Sequence, residues 1–113
     1  MAQKYNLPDA YKGDTYDDIQ FTITINDVAL DLTGSTIRCQ FKKEKKTGAL
    51  KKTITNTGGI TVTDAVNGVF KIDAFVLDWD EGDYYYDIKI TSATDVVTTY
   101  LQGTLNVNQN VTN

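Results

Sequence analysis

The stretch Gly82-Asp83-Tyr84-Tyr85-Tyr86-Asp87-Ile88-Lys89-Ile90 sets large apolar residues against polar ones in strict alternation. Tyr84, Tyr86, Ile88 and Ile90 fall on one side, and Tyr85, Asp87 and Lys89 on the other. A period of two belongs to an extended chain whose successive side chains point to opposite faces, so this is a strand with one buried face. The period continues on either side. Ile19, Phe21, Ile23 and Ile25 alternate with Gln20, Thr22 and Thr24, and Ile37, Cys39 and Phe41 with Arg38, Gln40 and Lys42. Phe70, Ile72 and Ala74 alternate with Lys71 and Asp73, while Val97, Thr99 and Leu101 lead through Gly103 to Leu105 and Val107. Residues 50–55 and 60–63 are shorter candidates. No segment of ten or more residues has a helical period, and 75–80 is the best place for a short helical turn.

Turn dipeptides separate these runs: Asn26-Asp27, Thr33-Gly34, Thr47-Gly48, Gly58-Gly59, Asn67-Gly68, Glu81-Gly82-Asp83 and Thr94-Asp95. Asn67-Gly68 suits a two-residue hairpin turn, whose central residues both need positive φ. Strands with one apolar face must bury it against a second sheet. The fold expected is all-β, an antiparallel β-sandwich of about seven or eight strands. Its segments are an N-terminal arm over 1–18 with room for a first strand, the sandwich over 19–107, and a polar tail over 108–113. Ends of this composition are either frayed or held by a partner through strand addition.

At 113 residues, with 41% apolar and 23% charged, the chain has the make-up of one globular domain and no apolar run long enough to span a bilayer. Net charge is −4, unevenly spread. Arg38, Lys42, Lys43, Lys45, Lys46, Lys51 and Lys52 stand against Glu44 alone in an otherwise acidic chain. Such a basic hairpin is a solvated tip that deters edge pairing, a docking surface for an acidic neighbouring subunit, or a phosphate site. It lacks interleaved aromatics for stacking bases, so nucleic acid is not expected.

Chemistry is sparse. With no His, every triad that needs an imidazole is excluded, and the single Cys39 lies on the apolar face of its strand without a base to ionise it. One unpaired Cys suits a reducing compartment. Ser35 and Ser92 sit in turns. Asp78, Asp80, Glu81 and Asp83 crowd one corner, and Asp14, Asp17 and Asp18 another. Adjacent acids on a loop do not face each other across a cleft as glycosidase carboxyls must. Asp78, Asp80 and Asp83 are the candidate calcium ligands, although Asp78-x-Asp80-x-Gly82-Asp83 departs from the EF-hand order and no Glu closes the loop. Trp79 and Tyr85 form a thin aromatic surface, of the kind more common in protein contacts than in glycan platforms. The expectation is no enzyme and no cofactor.

Asp80-Glu81-Gly82-Asp83-Tyr84-Tyr85-Tyr86 reads D-x-G-x-Y-x-Y and is similar to the D-x-G-x-Y-x-C of immunoglobulin domains. Tyr84 then takes the tyrosine-corner position and Tyr86 replaces the disulfide cysteine. More broadly, the order of elements resembles one family. These are Asp31-Leu32-Thr33-Gly34-Ser35-Thr36-Ile37-Arg38, Gly59-Ile60-Thr61-Val62-Thr63-Asp64, Asn67-Gly68-Val69-Phe70-Lys71-Ile72, Glu81-Gly82-Asp83-Tyr84-Tyr85-Tyr86-Asp87-Ile88 and Thr98-Thr99-Tyr100-Leu101-Gln102-Gly103-Thr104-Leu105-Asn106-Val107. The chain resembles the immunoglobulin-like N-terminal domain of phage baseplate upper proteins, and small tail or head-fibre proteins of the same build. The resemblance implies a virion protein, assembled in the host cytoplasm, that packs against other virion proteins, forms a homo-oligomer and needs no membrane. As little follows Val107, the expected form is a small tail, baseplate or capsid subunit. Contacts are expected through strand edges, termini and the Lys42–Lys52 hairpin. The alternative is a binding module for a surface glycan or calcium on Trp79, Tyr85 and the Asp78–Asp83 corner.

Overall fold

The computed structural model describes residues 3–43 and 50–108. Among them are thirteen strands, beginning with β1 (Gln3–Lys4), β2 (Ala10–Tyr11), β3 (Thr15–Tyr16), β4 (Ile19–Thr22), β5 (Thr24–Ile25) and β6 (Val28–Ala29). The longer ones follow: β7 (Thr36–Lys43), β8 (Leu50–Thr55), β9 (Ile60–Asp64), β10 (Val69–Ile72), β11 (Phe75–Val76), β12 (Gly82–Thr91) and β13 (Val97–Asn108). Seven of the thirteen run for four residues or more, and these carry the two layers of an all-β sandwich. One sheet has the order β1-β13-β12-β7-β8, with β2 also on the outer side of β13; the other is β4-β10-β9.

The alternation sets which side chains meet between the layers. Tyr84, Tyr86, Ile88 and Ile90 are buried along β12, and Ile37, Cys39 and Phe41 along β7. Phe21, Phe70 and Ile72 join them in the same core from the opposite sheet. Within the larger sheet the long ladders are antiparallel, whereas the N-terminal strands run parallel to β13, Gln3 opposite Leu101 and Ala10 opposite Val107.

Two local expectations need correction. Residues 75–80 form no helical turn: Phe75 and Val76 pair antiparallel with Tyr16 and Thr15. Burial then alternates through Leu77 and Trp79 (inside) against Asp78 and Asp80 (outside), so the segment is extended. Asn67-Gly68 is not a two-residue turn. Four residues, 65–68, separate Asp64 from Val69, with the Gly68 N–H donating to the Ala65 carbonyl at 3.1 Å. Only Gly68 of that dipeptide has positive φ, 72°. The two-residue turn lies instead at Asn26-Asp27, with φ of 52° and 65° between the paired Ile25 and Val28. Asn and Asp enter the left-handed region more easily than other non-glycine residues, which is why they can supply both positions.

The Asp31-Leu32-Thr33-Gly34 motif is a brace. One Asp31 carboxylate oxygen accepts from the Thr33 N–H at 2.9 Å and from the Thr33 hydroxyl at 2.6 Å. Those two donors hold the carboxyl below its ordinary range. Lower in the fold, the Tyr16 hydroxyl donates to the Pro8 carbonyl at 2.6 Å. Burial, then the neighbouring Tyr5 and Asp9, raises its pKa from 10.0 to about 12. Because the folded state favours the neutral phenol, its contribution is complete below about pH 10 and is lost as pH rises towards about 12. Alkaline melting curves should therefore fall more steeply over that window for the native chain than for Tyr16→Phe; equal slopes would show that Tyr16 titrates as it does when unfolded.

Candidate functional site

The candidates singled out by the sequence lie at the ends and rims of the sandwich. At the end where β7, β12 and β13 meet the N-terminal segment, the tyrosine corner fixes the loop before β12. Tyr84 is fully buried and its hydroxyl donates to the Asp80 carbonyl at 2.7 Å. Holding that carbonyl leaves the Asp80 carboxylate outside, 3.4 Å from Lys12 Nζ and 3.9 Å from Lys43 Nζ. With Asp80 73% exposed, such pairs contribute about 0–1 kcal/mol each and mainly orient the chains. Tyr84→Phe should lower unfolding stability by about 1–2 kcal/mol, the cost of a lost buried hydroxyl bond, read from the urea midpoint. A midpoint unchanged within error would remove the corner's role.

The remaining sequence candidates disperse. Asp83 accepts from the Asn106 amide, and no group of three or more His, Cys, Asp or Glu able to hold a metal occurs among the described residues. Asp78, Asp80 and Asp83 are thus neighbours in sequence that are not gathered round a point. Trp79 is corrected as a surface residue. It is only 7% exposed, with its ring 4.9 Å from Tyr84 and 5.2 Å from Phe41. The extended course of 75–80 turns it inward, which takes it out of any glycan platform. Tyr85 is half-buried on the outer face.

The basic hairpin divides in two. Lys43 reaches Asp80, and Lys52 lies 5.3 Å over the Phe75 ring, a cation–π contact that covers the sandwich edge. Lys42 and Lys51 have no ion pair among the described residues, and beside them Leu50, opposite Lys42 in the ladder, is 55% exposed. Lys45 and Lys46 lie outside the described residues. Cys39 is fully buried, and burial pushes its thiol well above the ordinary range, so it is packing volume.

Comparison with known families is decisive. Residues 3–110 match the family model described as the BppU N-terminal domain, that of phage baseplate upper proteins. The chain belongs to this family. Membership makes it a phage baseplate-type structural domain and a virion component. No curated protein matches the chain. Among solved structures it is similar to CopC from Methylosinus trichosporium OB3b, at 12% identity over 91% of this chain and 88% of that one, with a TM-score of 0.47. It is also similar to extracellular domains 3–5 of Drosophila OTK, at 14% identity over 94% of this chain but 33% of that one, with a TM-score of 0.35.

This chain has one built feature that the sequence reading missed, a clamp on its N-terminal segment. The Tyr5 N–H donates to the Gln102 carbonyl at 2.9 Å and the Leu7 N–H to the Thr104 carbonyl at 2.8 Å. Between them the Tyr5 carbonyl dips to accept the Tyr86 hydroxyl at 2.6 Å. It does so over Gly103, where a Cβ would stand 1.9 Å from the Tyr5 oxygen. The available signal was a glycine inside a strand, which often marks close backbone approach. In this BppU N-terminal domain no helix among the described residues is long and apolar enough to cross a membrane.

Proposed function

We propose that this domain is a non-enzymatic subunit of a phage particle that acts through protein–protein contacts, with other virion proteins and with further copies of itself. The observation that carries this reading is the family match over residues 3–110. The contact surface assigned to the hairpin is Lys42, Lys51 and Leu50 with Lys45 and Lys46, joined by Tyr85 on the outer face. Lys42 and Lys51, which have no ion pair among the described residues, beside the exposed Leu50 suit an acidic neighbour with an apolar centre. Lys43 and Lys52 support that hairpin by their contacts to Asp80 and Phe75.

Mass spectrometry of purified particles should find the chain in fixed ratio to tail or baseplate proteins, and light scattering should give the purified chain a closed oligomer. A chain missing from particles, or a strict monomer at high concentration that binds no virion component, would refute the proposal.

A further inference from the structure

Among the described residues β4 pairs with β10 and with no other strand. The Ile23 N–H donates to the Gly68 carbonyl at 2.9 Å, and the Ile23 carbonyl accepts from the Leu30 N–H at 3.0 Å. By the alternation of an antiparallel ladder, Phe21 and Ile19 also direct their backbone groups to that side. Gln20, Thr22 and Thr24 therefore turn their N–H and C=O groups away from the sheet, along an open edge.

That edge fronts a cleft of about 680 Å³ whose far wall is Lys4, Tyr5, Thr98, Tyr100 and Leu101. A strand residue occupies roughly 3.4 by 4.8 by 10 Å, about 160 Å³, so the cleft holds about four residues of one extended chain. Open edges are normally blunted by charge, proline or a bulge. Here Ile19-Gln20-Phe21-Thr22-Ile23-Thr24-Ile25 carries neither charge nor proline, and its composition favours strand pairing. Among the described residues that line the cleft, Lys4 alone carries a charged side chain.

We propose that the cleft takes up an extended segment of a neighbouring virion chain, added as a strand on β4. Its apolar side chains face Tyr5 and Leu101, and an acidic residue lies near Lys4. This rests on the virion reading and names one of its contacts. The mode is strand addition, in which main-chain bonds supply affinity and alternate side chains supply specificity.

Hydrogen exchange on the full chain, alone and within particles, tests it. The amides of Gln20, Thr22 and Thr24 should exchange freely in the purified chain and slow by about tenfold or more in the particle. Thr22→Pro, which removes only an outward donor, should keep the native urea midpoint and lower incorporation by about tenfold or more. Fast exchange at these amides in the particle overturns the strand and leaves the virion reading standing, as does native-level incorporation of Thr22→Pro. If the variant fails to fold, the exchange measurement decides alone. Protection in the purified chain that rises with its own concentration would assign the strand to a second copy and overturn the neighbour. Absence of the chain from particles removes both.

Discussion

Gly103→Ala is expected to release the N-terminal segment from β13 and lower stability by about 2–4 kcal/mol. The magnitude follows from what occupies the space a methyl would need. A Cβ there would stand 1.9 Å from the Tyr5 oxygen, 2.7 Å from the Tyr5 carbonyl carbon and 3.0 Å from a Tyr86 ring carbon. Two of those three neighbours are backbone, held by the ladder on either side, so they cannot swing aside as a flexible side chain could. Moving the Tyr5 carbonyl also strands the Tyr86 hydroxyl, whose burial pushes its pKa well above the ordinary range. Overpacking and a lost buried bond therefore act together. Urea unfolding followed by circular dichroism gives the size of the loss. Exchange at the Tyr5 and Leu7 amides shows whether it starts at the clamp. A variant with native midpoint and native protection at both amides would mean that Gly103 is merely tolerated.

Trp79→Ala should cost about 3–5 kcal/mol, the range for emptying a large aromatic site in a core. The indole packs against Phe41, Tyr84 and Phe75, the last with ring centres 5.8 Å apart. It links the tyrosine corner to the edge that Lys52 covers. As the only Trp in the chain, it also reports directly: native emission should be that of a buried indole and shift red on unfolding. A loss below about 1 kcal/mol, with solvent-like emission in the native state, would return Trp79 to the surface.

The contrast between these two residues shows how much of the molecule could be read from sequence. β7, β10, β12 and β13 were legible because period-two burial is local: each buried face is written in its own strand. Tyr84 was legible for a similar reason, since its partner carbonyl belongs to Asp80, four residues earlier. Trp79 was misread although Phe75, Leu77 and Trp79 alternate with Val76, Asp78 and Asp80. The face shifts between Ile72 and Phe75, with Ala74 exposed, and that slip hides the continuing period. The clamp could not be placed, because Tyr5 and Gly103 meet across almost the whole chain and no local pattern records a parallel pairing of that separation. The I′-type turn at Asn26-Asp27 and the four-residue loop at 65–68 exchanged roles for a tertiary reason. A Cβ at residue 68 would lie 2.6 Å from the Ile23 carbonyl oxygen and 2.8 Å from that of Leu30, so that glycine serves a close approach as well as a turn.

Among the candidate contact residues, composition located the basic hairpin but did not divide its labour. Lys43 and Lys52 turn towards Asp80 and Phe75 because they lie at the end and edge of the sheet, whereas the half-buried Lys42 and the exposed Lys51 make no ion pair among the described residues. The open edge of β4 was present in the sequence as an uncharged alternating run. What made it a candidate site was the commitment of the N-terminal strands to β13 on the other sheet, which leaves β4 with one neighbour among the described residues.

The most direct test of a particle subunit working through its rims is lysine cross-linking of intact particles followed by mass spectrometry. Lys42, Lys51 and Lys4 should link to other virion chains, while Lys12, Lys43 and Lys52 link mainly within the domain. Particles that contain the chain but yield no intermolecular links from Lys42, Lys51 or Lys4 would contradict it.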